Sequence, residues 1–77
     1  MPNDAGTQIS KYTMNKDYDL VSVLYHALQA ADTCAQYQQD AEVEGSREVA
    51  DFMREVREQN TRIAQQAKEL LVKQHQV

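Results

Sequence analysis

Apolar residues return every three or four positions through two long stretches of this chain. In the first, Leu20, Leu24, Ala27, Ala31, Cys34 and Ala41 follow alternating steps of four and three, with Gln38 completing the series. Val21, Tyr25, Leu28 and Ala35 flank that line on one side, and Val23, Ala30 and Tyr37 on the other. Ser22, Gln29, Thr33, Gln36 and Asp40 fall opposite. At about 100° per residue this is a broad apolar face on a helix, predicted over 17–43. In the second stretch Val49, Met53, Val56, Ile63, Ala67 and Leu70 keep the same rhythm, supported by Phe52, Ala64 and Leu71. A second helix is predicted over 47–75, with one polar residue, Asn60, on its apolar line. Arg54–Glu58, Glu58–Arg62 and Glu69–Lys73 are opposite charges four apart, each adding a few tenths of a kcal/mol to helix stability.

Between the two stretches, Gly45 occupies the position where a helix end takes positive φ, and Ser46 the position of the next N-cap. A turn over 44–46 is too short for anything but an antiparallel hairpin. Residues 1–16 mix Pro2, Gly6, Thr7, Ser10, Thr13 and Asn15 without a period and are expected to form a flexible N-terminal arm. Asn15 or Asp17 can cap the first helix.

Two rods about 40 Å long touch along one line, yet the first helix carries apolar residues on both shoulders of its stripe. Exposed patches of that length are uncommon on monomers. The expected fold is all-α: a long antiparallel helical hairpin that dimerises into a four-helix bundle. Val21, Leu24, Leu28, Cys34, Phe52, Val56, Ile63 and Leu70 are the expected interface, and the partner is a second copy, with larger assemblies open.

Composition narrows the function. A chain of 77 residues with 2 Gly, 1 Pro and no Trp suits long helices and lacks the turns of a sheet-based enzyme fold. Residues 17–46 hold six carboxylates and no Lys or Arg, and the net charge is -4. That repels phosphate, so no nucleic-acid partner is expected. Mean hydropathy of -0.72 and the lack of a long apolar run argue against a membrane span. The opening MPNDAGTQIS has neither the basic nor the apolar region of a secretory signal, so a cytoplasmic location is expected. The single cysteine allows no internal disulfide.

Asp32 and Asn60 are the polar residues nearest the apolar lines, and a hairpin turning at Gly45 brings them to almost the same height. The plain reading is a hydrogen-bonded pair that fixes register, with Tyr25 and Tyr37 as neighbouring core-edge polar groups. The sharper reading makes Asp32 and Asn60 carboxylate and amide ligands of a metal completed across the dimer. His26 reads as a solvated residue and Cys34 as a small buried hydrophobe. Glu55 and Glu58 face Arg54 and Arg62 and read as a solvated face. There is no phosphate loop and no nucleophile–base pair, so no catalytic residues and no cofactor are expected.

An acidic residue midway along helix one, Asp32, an aromatic five residues later, Tyr37, and a polar residue on the line of helix two, Asn60, resemble half of a ferritin-like bundle. The likeness spans about residues 17–73 and is nearest to the small encapsulated-ferritin group, whose paired hairpins build a di-iron site. It implies that Asp32 stands at that family's helix-one Glu, and that Asn60-Thr61-Arg62-Ile63 replaces its Glu-x-x-His. An amide and an aliphatic there imply a lost metal centre. The leading expectation is thus a non-catalytic, self-associating bundle protein working through protein–protein contact. The alternatives are a divergent iron-binding protein with Asp32 as ligand, and a regulatory module that accepts a partner's amphipathic helix.

Overall fold

The computed structural model describes residues 15–76. Two helices account for nearly all of them: α1, Asn15–Val43, and α2, Arg47–Gln74. They fold back on each other as an antiparallel hairpin. Among the described residues, the first helix already includes Asn15 and Lys16, two residues ahead of the expected 17, with Asp17 in its first turn, where negative charge favours the helix N-terminus. The second ends one residue before the expected 75: His75 N–H donates to the Val72 carbonyl at 3.2 Å, a tightened final turn. Apart from Asn15 and Lys16, the expected arm of residues 1–16 lies outside the described residues.

The turn follows from Gly45. Its φ of +79° is the left-handed conformation that costs an L side chain 1–2 kcal/mol or so. Ser46 N–H reaches the Ala41 carbonyl at 2.8 Å and Gly45 N–H the Glu42 carbonyl at 3.1 Å, the paired bonds of a Schellman ending. Ser46 is the N-cap of α2, but only through its backbone. Its carbonyl accepts from Ala50 N–H at 3.0 Å, while its hydroxyl makes no capping bond.

The far end is pinned by two contacts. His75 Nε2 lies 2.8 Å from Asp17 Oδ2, and Lys16 Nζ donates to Gln74 Oε1 at 2.9 Å. Counting inward from them, Ala27 comes opposite Ala64, Ala31 opposite Asn60, Cys34 opposite Arg57, and Ala41 opposite Ala50.

That register runs through an unusually small-residue core. The buried positions are Ala27, Ala31, Cys34 and Ala41 of α1 and Ala50, Ala64 and Ala67 of α2. No larger side chain is buried among the described residues. On α1 this is the stripe its periodicity predicts. On α2 the seam is Ala50, Met53, Arg57, Asn60, Ala64, Ala67 and Leu71, so the expected line is corrected by one residue at Val49, Val56, Ile63 and Leu70. The reason is steric. Alanine facing alanine lets two helix axes approach toward the lower end of the ordinary range of about 8–10 Å, and the bulky side chains are then displaced onto a shoulder.

Candidate functional site

The shoulder that receives them is the most distinctive feature of the hairpin. Val49, Val56, Ile63 and Leu70 recur at intervals of seven, and so do Val23, Ala30 and Tyr37 on α1. Seven residues make two turns less about 20°, so each set forms a nearly straight line beside the seam. Antiparallel packing puts both lines on the same side. Val23, Ala30 and Ile63 share one shallow groove midway along the molecule, and Tyr37, Val49 and Met53 share another near the turn. Tyr37 is 49% exposed, Ile63 43%, Leu70 45% and Phe52, at the outer edge of the face, 58%.

The opposite side differs in kind. There Val21, Leu28, Ala35 and Glu42 of α1 border Arg47, Arg54, Thr61 and Lys68 of α2, again at intervals of seven. Near the turn, Glu42, Arg47, Asp51 and Arg54 line an open polar hollow, where Arg54 Nη1 lies 3.2 Å from Asp51 Oδ1. Cationic side chains with long aliphatic stems cover apolar neighbours while keeping their heads in water. One side of the hairpin is therefore apolar on both helices, aliphatic but for Tyr37 and Phe52, and the other mixes aliphatic residues with three basic ones, Thr61 and Glu42.

The residues singled out from the sequence distribute over these surfaces. Asp32 is exposed, one step round α1 from the buried Ala31. Asn60 is half-buried in the seam, and its Nδ2 donates to the Val56 carbonyl of its own helix at 2.9 Å. Tyr25, 60% exposed, meets the His26 ring edge-to-face with centroids 5.3 Å apart. Of the expected interface residues, Phe52, Val56, Ile63 and Leu70 come together on the aliphatic side. Val21 and Leu28 lie on the mixed side, and Leu24 and Cys34 lie in the hairpin's own seam, Cys34 buried. Val49, on the same aliphatic line, was not among the expected interface residues. The strict seven-residue interval that ties it to Val56, Ile63 and Leu70 is the signal that marks it.

Two side-chain oxygens are buried without a partner among the described residues: Asp17 Oδ1 at the open end, whose Oδ2 meets His75, and Gln38 Oε1 in the seam. Gln38 Nε2 donates to Glu42 Oε2 at 3.2 Å. Among the described residues no three His, Cys, Asp or Glu side chains converge in a way that could hold a metal ion. No described helix is long and apolar enough to cross a membrane. No family model, curated protein or solved structure matches the chain.

Proposed function

We propose that this chain is a non-catalytic, self-associating protein that pairs two hairpins through their aliphatic sides into a four-helix bundle and acts through protein–protein contact. The bundle is ferritin-like in outline with its metal centre lost. One observation carries the reading: a line of Val49, Val56, Ile63 and Leu70 lies beside a seam closed by alanines. A fully buried Val, Ile, Leu or Phe contributes about 1.5–3 kcal/mol relative to exposure, and a buried methyl about 0.8. The hairpin by itself secures the smaller contributions and leaves much of the larger ones to be gained by a second molecule. The exposed Asp32, the amide of Asn60 turned to its own backbone, and the aliphatic Ile63 support a bundle without a di-metal centre.

Sedimentation equilibrium with metal analysis of the same sample tests this. The expected result is a dimer whose mass holds across concentration and whose metal content is far below one ion per chain. A compact, cooperatively folding monomer in dilute solution overturns self-association. Near-stoichiometric iron, zinc or manganese that disappears in Asp32→Ala overturns the loss of the metal centre.

A further inference from the structure

Granting the pairing just proposed, on which this inference rests, two hairpins laid aliphatic side to aliphatic side have two symmetric solutions. With the two-fold axis along the helices, both turns lie at the same end and each α1 packs on the partner's α2. With the axis across the helices, the turns lie at opposite ends, α1 packs on α1 and α2 on α2. We propose the first arrangement, a dimer with both turns at one end.

Area favours a second copy as the occupant. A face about 40 Å long and about 20 Å wide offers on the order of 800 Å² per chain, the contribution a standard stable interface needs from each partner. The apolar line of α2 covers about 32 Å of that length and the line of α1 the central 21 Å or so, and both lie on the same side, so a self-complementary surface is already present.

Charge selects between the two solutions. Residues 17–46 carry six carboxylates and no Lys or Arg, whereas α2 carries six Lys and Arg against five carboxylates. Turns at opposite ends lay the acidic helix on itself. Along the outer edge of the face, at the same seven-residue interval, α1 presents Asp19, His26, Thr33 and Asp40, and α2 presents Phe52, Gln59, Gln66 and Lys73. With the turns apart, centring both apolar lines brings Asp19 to the partner's Asp40, and symmetry repeats that repulsion. With the turns together, Asp19 comes level with the partner's Lys73.

Side-chain size points the same way. With the turns together the hairpin's own register repeats across the interface. Tyr37 falls between the partner's Val49 and Val56, Ala30 between Val56 and Ile63, and Val23 between Ile63 and Leu70. The all-large line of α2 thus meets the line that contains a small residue, the alternation that fills a bundle core. The other solution sets Ala30 against Ala30 and crowds large residues on the α2 side.

Pulsed electron resonance on the full chain reads the answer. Val43→Cys and Val72→Cys, each in a Cys34→Ala background, place one spin label at the turn end or the open end, on residues that are 82% and 55% exposed. A two-fold axis parallel to the helices removes any separation along them and keeps both label-to-label distances below about 40 Å, the length of one helix. Distances beyond about 40 Å at both sites, from a protein that sediments as a dimer, overturn the shared-end arrangement and leave the pairing intact. A wild-type chain that sediments as a monomer, its face covered by its own first residues or by a foreign helix, instead overturns the pairing itself. A charge exchange adds a measurement that needs no label. Lys73→Glu is expected to weaken the dimer about fivefold, because it removes two exposed ion pairs of modest strength, and Asp19→Lys in the same chain restores it. Failure of that rescue counts against the shared-end geometry.

Discussion

At the scale of single residues, the seam separates a satisfied amide from an unsatisfied one. Asn60 gives its Nδ2 to the Val56 carbonyl, whereas Gln38 keeps a buried Oε1 with no partner. An unpaired buried acceptor costs about 1–3 kcal/mol, and its replacement by an apolar group of like shape removes that cost. Gln38→Met is therefore expected to stabilise the fold by about 1 kcal/mol, or about 4–8 °C in a domain of this size. Asn60→Leu is expected to gain less, and to make the assembly less uniform, because a polar residue in a seam restricts register. Thermal melts followed by circular dichroism, with sedimentation of the same variants, check both. A loss of stability in Gln38→Met contradicts the orphaned acceptor. Asp32 shows what position along a helix leaves out. Its height relative to Asn60 is readable from the distance to Gly45, but its direction depends on how α1 turns about its axis, and a one-residue step from Ala31 carries it out to solvent.

At the scale of elements, both helices and their connection are legible because each rests on local chemistry. Periodicity marks the helices, and a lone glycine at the end of a 29-residue helix marks the turn. No atom comes within 4 Å of where a Cβ at Gly45 would stand, so an alanine there meets no clash, only an unfavourable φ. Gly45→Ala is expected to cost about 1 kcal/mol, and Gly45→Asn less, because asparagine tolerates the left-handed region. Equal melting temperatures for Gly45→Ala and the parent refute the assignment of strain. The phase of α2 was less legible. Val49, Val56, Ile63 and Leu70 give a stronger hydrophobic signal than Ala50, Ala64 and Ala67, so hydrophobicity places the seam one residue early. What selects the alanines is the match to the small residues of α1, a property of the pair of helices that neither shows alone. Ala64→Leu tests it. Three extra carbons at the buried Ala64, opposite the buried Ala27, are expected to cost about 1–3 kcal/mol through overpacking, and a stabilised protein would place residue 64 outside the seam.

At the scale of the whole molecule, the displaced aliphatic line decides whether the hairpin stands alone. Every additional buried methylene contributes about 0.8 kcal/mol, so a chain that closes its seam with alanine gives up burial that it can recover only from outside itself. Ile63 sits at the middle of that line and borders the groove shared with Val23 and Ala30. It lies on the shoulder and not in the seam, which separates the two roles a substitution could disturb. Ile63→Lys leaves the buried seam residues Ala27, Ala31, Ala64 and Ala67 in place. It also places two ammonium groups, one from each chain, in the centre of the proposed interface, where neither has a partner. An uncompensated charge in such a place costs several kcal/mol, enough to dissociate a dimer of ordinary affinity at micromolar concentration. The expected outcome is a monomer that keeps its helical signal at low temperature and melts earlier. Its melting temperature also ceases to depend on concentration, because mass action stabilises only a species that associates. Thr61→Lys, on the mixed side at nearly the same height, adds the same charge beside residues that already border water and is expected to leave the dimer intact. Sedimentation of the two variants at matched concentration reads the difference directly. Equal loss of association in both places the contact elsewhere, and equal retention removes the aliphatic side from the interface.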